Sequence, residues 1–257
     1  MNVPPPKVPA SADVASQTAR ALIALRESLM RGEFAPGERM AELPLVARLG
    51  VSRTPIRLAL ERLAHIGLLD LSAGGGFTVR GFTAADALDA IEVRGVLEGT
   101  AARLAAERLT DAAEVAPLRR LSEKMARLRQ LSDDSVGYYM DLNEAFHAGL
   151  VALAKSDMLR RSIDYAGSLP FASPSAMVFP TVDSAESADT LACSKEHHRS
   201  LVEAIARREG TRAENLARGH AWIGRRVLAM ALSDREALRR VPGASLIDPA
   251  APPRPRV

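Results

Sequence analysis

The sequence predicts a mainly helical protein made of an N-terminal winged helix-turn-helix and a C-terminal all-helical antiparallel bundle. Alanine and leucine are abundant, whereas aromatic residues make up only 4% of the chain, which favours helices over β-sandwiches. The 257 residues, 47% of them hydrophobic, are enough for two domains with their own cores. Helical periodicity dominates residues 84–238, whereas the stretch before it combines short helices with two short strands.

The N-terminal domain is predicted over residues 16–82. Its predicted elements are helices at about 18–31, 41–49 and 53–66, followed by strands at 68–71 and 77–80. Ser52 offers an N-cap to the third helix, and Pro55 is tolerated in the first turn. The glycines at 74–76 suit the turn of a hairpin. The order is therefore three helices and a two-stranded wing.

The C-terminal domain is predicted over residues 83–240. Its predicted helices are 84–108, 111–131, 134–154, 157–167, 187–208 and 211–234. A proline-containing loop at 168–185 is either a functional lid or a disordered excursion. Residues 1–15 are predicted to be a disordered arm, and residues 241–257 a disordered proline-rich tail.

Several protein classes are excluded by what the sequence lacks. No apolar run approaches the roughly 18–20 residues that span a bilayer, and the N-terminus has no apolar segment of a secretory signal. The single cysteine, Cys193, excludes an internal disulfide framework. We therefore expect a cytoplasmic protein with no membrane partner.

A turn into the third helix predicts DNA binding. Residues 1–83 hold ten basic and seven acidic residues, within a net charge of +3 for the chain. The first helical turn after Ser52 carries Arg53, Thr54 and Arg57, and a helix N-terminus inserted into the major groove would present them to bases and phosphates. An ordinary surface helix with two solvated arginines is the alternative.

Residues 34–80 resemble the winged helix-turn-helix of the GntR family of bacterial transcription regulators. The matching stretches are residues 36–39, 50–55, 57 with 59–60, and 63 with 67–69. The resemblance implies DNA contacts by Ser52, Arg53, Thr54 and Arg57, and by the wing at Gly76. Two positions depart from the family. The family usually has a charged residue at the position of Leu43 and a basic or polar residue at the position of Gly75. We therefore expect one missing DNA contact and a wing that follows the minor groove through its backbone.

Asn143, His147, His198 and His220 form a candidate metal site. The first two are four residues apart on one predicted helix, so they share a face, and the others lie on the last two long helices. If these helices fold back on each other, an amide oxygen and three imidazoles suit a divalent metal such as Zn, Ni or Mn. Hydrogen-bonded polar residues in the core are the alternative.

Residues 84–235 resemble the all-helical FCD effector domain of the FadR subfamily. The stretches that match are 91–94 with 97–98, Asn143 with 146–147, and His198 with 204–205 and His220. The resemblance implies that Asn143 and the three histidines are the metal ligands, with asparagine where the family also uses aspartate, and that His198 rather than His197 is the ligand. It further implies a small carboxylate effector. Arg94 is its candidate clamp, and a surface pair with Glu98 is the alternative for that arginine.

Residues 90–99, Asn143 and residues 170–172 are also similar to vanillate-repressor-type members, which implies an aromatic acid as the effector. The leading hypothesis is a homodimeric, ligand-responsive regulator, expected to be a repressor, that binds a short inverted repeat and is not an enzyme. A metal-dependent helical enzyme and a protein-interaction scaffold are the alternatives. The enzyme is disfavoured because no evident general base or nucleophile accompanies the ligands.

Overall fold

The computed structural model describes residues 10–72, 74–174, 185–241 and 243–248. The chain divides into two compact units, one formed by residues up to Phe82 together with Ser245–Asp248, the other beginning at Thr83. In the described part of the chain, every helix is too short or too polar to cross a membrane.

The first unit has three helices and a small antiparallel sheet. Its elements are α1 (Ala10–Met30), β1 (Arg39–Met40), α2 (Glu42–Leu49), α3 (Arg53–His65), β2 (Leu69–Leu71) and β3 (Phe77–Val79). The strand order is β1-β3-β2, and Thr78 in the central strand faces Arg39 on one side and Asp70 on the other. This is the predicted winged helix-turn-helix.

The core of the first unit lies between α1 and α3. Leu25 and Leu29 on α1 and Ile56 and Leu60 on α3 are almost completely buried. Each pair is spaced four residues apart and so lies on one face of its helix. The opposite face of α3 is therefore left for solvent or a partner.

The described parts of both predicted disordered segments are folded. In the predicted arm at residues 1–15, the chain is helical from Ala10 onward. No proline or glycine lies between Pro9 and Gly32, so nothing in the sequence interrupts this helix. Residues 1–9 lie outside the described part. Part of the predicted tail at 241–257 is also folded. The short strand β4 (Phe82–Thr83) pairs with β5 (Ile247–Asp248), and Leu246 and Ile247 are buried. Residues 249–257 lie outside the described part.

The second unit is a helical bundle. Its helices are α4 (Ala84–Glu107), α5 (Ala116–Arg127), α6 (Asp133–Leu153), α7 (Asp157–Ala166), α8 (Ala185–Ala206), α9 (Gly210–Ser233) and α10 (Arg235–Arg239). The helix predicted at 111–131 is shorter and is preceded by a 3₁₀ turn at Ala112–Val115, because Pro117 belongs in the first turn of a helix.

Helices α4 and α9 lie antiparallel and unusually close. Gly95 on α4 faces Ala221 on α9, and a Cβ atom at Gly95 would lie only 2.6 Å from the Ala221 Cβ. One turn further along α4, Gly99 lies against the Arg218 side chain in the same way. The close approach brings the neighbouring α4 residues Arg94 and Glu98 next to the inward face of α9.

Candidate DNA-contacting helix and buried ligand site

The N-terminus of α3 is open to solvent. Gly50 ends α2 with a positive φ of 63°, and Ser52 precedes α3 in extended conformation without a side-chain cap. Ser52, Arg53 and Thr54 are exposed. The first N–H groups of the helix are therefore directed outward, where a phosphate could accept from them.

The two arginines predicted to contact DNA form surface ion pairs in this structure. Arg53 pairs with Glu42 on α2, and Arg57 with Glu61 at 3.2 Å, while their side chains remain 70% and 65% exposed. Exposed pairs of this kind contribute roughly 0–1 kcal/mol. Phosphates or guanine edges can therefore replace the carboxylates at little cost.

The three histidines predicted to be ligands converge from three helices. His147 lies on α6, His198 on α8 and His220 on α9, and all three are buried. The Nε2 atoms of His198 and His220 are 3.1 Å apart, and one nitrogen from each ring lies within 4.8 Å of the others. His197 is only half-buried and is not part of this cluster.

Burial keeps two of these imidazoles neutral. Desolvation lowers the pKa of His198 and of His220 well below the ordinary value of 6.5, and the neighbouring histidines lower it further. A neutral imidazole has a free lone pair, which metal coordination requires. The cluster is therefore suited to bind a cation.

Glu98 joins the histidine cluster to the predicted effector clamp. One of its carboxylate oxygens accepts from Arg94 Nη1 at 2.9 Å, and the other lies 3.1 Å from His147 Nδ1. Burial alone raises the pKa of Glu98, but Arg94 and His147 outweigh it and hold the pKa well below its usual range. With Nδ1 of His147 donating to this carboxylate, Nε2 of the ring is left as the ligand atom.

Arg94 does pair with Glu98, but the pair is buried rather than on the surface. Arg94 is 5% exposed and Glu98 is 1% exposed. The Nε atom of Arg94 has no hydrogen-bond partner among the described residues. The guanidinium therefore keeps donor capacity for a further acceptor, as a carboxylate clamp requires.

Asn143 meets the segment that follows α7. Its side-chain Nδ2 donates to the Pro174 carbonyl at 2.9 Å, while its Oδ1 is buried with no hydrogen-bond partner in the described part of the chain. An unpaired buried acceptor is costly, so this oxygen is suited to bind a cation or a further donor. This oxygen is the atom that the predicted metal would use.

A cavity of about 20 Å³ lies among these groups. The residues that line it include Arg94, Asn143, His147 and His220. Phe171, Ser173 and Pro174 line the other side, and Phe171 is completely buried. Since one water molecule needs at least about 10–15 Å³, the cavity fits a water or an ion, but not an organic acid. The first part of the predicted loop at 168–185 thus lines the site; residues 175–184 lie outside the described part.

Two family models match the chain. One, described as "Bacterial regulatory proteins, gntR family", covers residues 17–79, and the other, the FCD domain, covers residues 89–221, which is more than half of the chain. The chain belongs to the GntR family of regulators with an FCD domain. The predicted family is thereby confirmed, while the narrower resemblance to vanillate repressors stays a prediction.

Named relatives of this GntR protein are transcription regulators. It is 40% identical to the Nta operon transcriptional regulator of Aminobacter aminovorans over 130 residues, a stretch that is 51% of this chain and 60% of that protein. It is 27% identical to the transcriptional repressor GlaR of Escherichia coli, over 76% of this chain and 88% of that protein. The prediction of a regulator rather than an enzyme is confirmed at the level of the family.

Solved structures support the fold. The structure of McbR/YncC from E. coli has a TM-score of 0.61 and 21% identity, and covers 83% of this chain and 97% of its own. The structure of Lar, from Listeria monocytogenes, has a TM-score of 0.58 and 19% identity, and covers 83% of this chain and 96% of its own. GntR regulators bind DNA operators and small-molecule effectors, typically as dimers.

Proposed function

We propose that the protein is a ligand-responsive transcription repressor that releases its operator when a small carboxylate binds in the helical unit. The observation that carries the proposal is the buried cluster of Arg94, Glu98 and three histidines, of which Arg94, His147 and His220 line one cavity. Burying so many charged and polar groups costs free energy unless a ligand supplies complementary partners for them. In the same chain, α3 presents two arginines at an open helix N-terminus.

The DNA partner in this proposal is a short inverted repeat. One winged unit offers few contacts, and a two-fold homodimer doubles them and requires a palindromic site. Ser52, Arg53, Thr54 and Arg57 would contact the major groove, and Gly76 would approach the DNA at the wing. The protein would act in the cytoplasm, where bacterial DNA lies.

A divalent metal fits the residues of the buried site. Asn143 Oδ1, which lacks a protein partner, and one nitrogen each from His147, His198 and His220 would bind it. Three nitrogens and one oxygen suit Zn, Ni or Mn. When bound, the ion supplies a Lewis acid that attracts a carboxylate oxygen.

The effector would be a small organic acid, and an aromatic acid is the expected class. Arg94 is the group that would bind its carboxylate, through donors that the pair with Glu98 leaves free. Because the cavity has room for about one water, the segment from Phe171 to Pro174 must move when the acid enters.

The coupling to DNA would pass along α4. This helix contains both Arg94 and Glu98 and follows the DNA-binding unit directly in the chain. An acid that favours one orientation of α4 would thereby favour one arrangement of the two DNA-binding units of the dimer. The shift is limited by the difference in the affinity of the acid for the two arrangements.

A thermal-shift screen of small acids, run with zinc and again with EDTA, tests the proposed ligand site. An acid that binds only the folded protein raises the unfolding temperature by mass action, and we expect aromatic acids to do so only when metal is present. A panel of aromatic, 2-hydroxy and dicarboxylic acids that leaves the temperature unchanged with every divalent metal would contradict the proposal.

Band shifts with Arg53→Ala and Arg57→Ala test the DNA-binding half. Each change should weaken specific binding by roughly 1–3 kcal/mol for each half-site of the operator, while the circular dichroism spectrum stays unchanged because both side chains are exposed. Arg20→Ala, an exposed arginine on α1, is the charge-matched control. Unchanged affinity in both variants would show that α3 does not enter the groove.

A further inference from the structure

Arg39 places a guanidinium beside the turn of the wing. It lies on the edge strand β1, opposite Thr78, and its side chain is exposed. A Cβ atom built on Gly76 would lie 3.5 Å from Arg39 Nη2 and 3.6 Å from Nε. The side chain therefore reaches along the sheet toward the wing turn, and the glycine leaves room for it.

Arg39 differs from Arg48, Arg53 and Arg57 in having no acidic partner among the residues that the structure describes. Arg48, Arg53 and Arg57 each pair with a glutamate of the same unit. Arg39 forms no ion pair or side-chain hydrogen bond with any residue that the structure describes. Asp70 lies on the same sheet, beyond Thr78, but the guanidinium lies toward Gly76 instead. Its charge and donors are therefore available to a partner.

The wing itself is slender. Gly75 and Gly76 have φ values of 79° and 92°, which suit glycine, and no side chain extends from the turn at residues 74–76. The minor groove of B-DNA is only about 6 Å wide. A turn of this kind can approach the groove closely, with Arg39 as the adjacent source of positive charge.

We propose that Arg39 enters the minor groove beside the major-groove site read by α3 and selects A·T-rich flanks of the operator. The assignment rests on the proposed DNA-binding function. A·T tracts have a narrow minor groove with enhanced negative potential, which attracts an inserted arginine. Arg39 thus supplies the wing cation that was expected to be missing because Gly75 stands where the family has a basic or polar residue.

The chemistry favours arginine over lysine at this position. A guanidinium is more weakly hydrated than an ammonium, so less free energy is lost when it leaves water for a narrow groove. Arg39→Lys should therefore retain the charge contact with phosphates but lose most of the preference for A·T flanks. Arg39→Ala should lose both.

The experiment is a selection of bound sequences from a random 30-base-pair library. It uses the full chain as wild type, Arg39→Ala, Arg39→Lys and the exposed control Arg20→Ala. Wild type and the control should enrich a palindromic core with A·T-rich flanks, whereas Arg39→Ala should enrich the core with random flanks. On a duplex of the selected sequence, the slope of log affinity against log salt should become shallower by about two, one for each subunit of the dimer, for Arg39→Ala only.

Other outcomes overturn the assignment. If Arg39→Ala keeps both the flank preference and the salt slope, Arg39 does not touch DNA. If the slope falls but the preference survives, Arg39 contacts a phosphate and does not read the groove. If wild type itself enriches no sequence, the proposed function fails, and this assignment fails with it. Matching unfolding temperatures exclude a folding defect, since Arg39 is exposed.

Discussion

Replacing Arg94 with alanine should destabilise the helical unit far more than replacing a partly exposed arginine on the same helix. In the structure, Arg94 Nη1 lies 2.9 Å from Glu98, and both residues are buried. Arg94→Ala leaves the Glu98 carboxylate inside the protein with His147 as its remaining partner. The variant therefore buries a charge that has lost its main compensation.

The magnitude follows from the geometry. Two unit charges 2.9 Å apart attract by about 6 kcal/mol at an effective dielectric constant near 20. The removal of both ions from water costs several kcal/mol each, so the intact pair contributes little net stability. The loss of one partner, however, exposes the full cost of the other, about 3–5 kcal/mol. That is a large part of the roughly 5–15 kcal/mol that stabilises a typical domain.

Urea unfolding followed by circular dichroism measures this cost. Arg103→Ala is the matched control, because Arg103 also lies on α4 and pairs with Glu107 at 3.0 Å and Glu214 at 3.1 Å, but its side chain is 35% exposed. The control should lose no more than about 1 kcal/mol. The double variant Arg94→Ala/Glu98→Gln should be more stable than Arg94→Ala alone, since its buried group is neutral.

Similar losses of stability in Arg94→Ala and Arg103→Ala, or a further loss when Glu98→Gln is added, would contradict this prediction. Either result would mean that the Arg94–Glu98 pair is hydrated in solution. Arg94→Ala would also test whether Arg94 is the effector clamp, and the expected instability limits the conditions for that test. A loss of response in Arg94→Ala is informative only below the urea concentration and temperature at which that variant starts to unfold.

Burial lowers the pKa of His198 and His220, so below about pH 6.5 only the unfolded chain takes up protons at these two residues. Acidification from pH 6.5 to 5.5 should therefore lower the free energy of unfolding by up to about 1.4 kcal/mol per pH unit for each imidazole. Urea titration in the presence of EDTA measures this change. Gly95→Ala should lower the free energy of unfolding by roughly 1–3 kcal/mol, because the new Cβ atom would lie 2.6 Å from the Cβ atom of Ala221. Calorimetry should show an unfolding temperature that is several degrees lower. Asn143→Asp should tighten zinc binding in a chelator competition, since a carboxylate replaces a neutral oxygen ligand.

The sequence indicated the elements and most of the site, because helical spacing carries that information. Asn143 and His147 share a face of α6 by their separation of four residues, and the opposed helices α8 and α9 account for the meeting of His198 and His220. The winged unit followed from glycine and proline positions, which fix turns and helix ends locally.

The role of Glu98 could not be predicted in this way. Helix α4 is surrounded by its neighbours, and its buried positions include Ile91, Gly95, Glu98 and Ala102 as well as Arg94. A helix buried on several sides has no polar face from which to judge which charged residues are inside. An i,i+4 pair of arginine and glutamate therefore looks the same in sequence whether it lies in water or in the core.

The burial of the segment from Phe171 to Pro174 could not be predicted from the loop pattern or from the resemblance that includes residues 170–172. Its burial depends on the shape of the cavity between α4, α6 and α9, which many residues far apart in sequence determine. The pairing of Arg53 with Glu42 was missed for a similar reason, because it joins two helices across the turn at Gly50. Contacts of this kind have no periodic signal.

The most direct test of the account is the affinity for the selected operator with and without an acid found by the thermal-shift screen. Fluorescence anisotropy should show that saturating acid weakens DNA binding by wild type about 5–150-fold, which corresponds to a coupling of about 1–3 kcal/mol. His198→Ala should bind the operator as wild type does but show no change with acid, whereas His197→Ala, one residue away and outside the cluster, should respond normally. Release of DNA from His198→Ala at the same acid concentration as from wild type would contradict the claim that the buried site is the sensor.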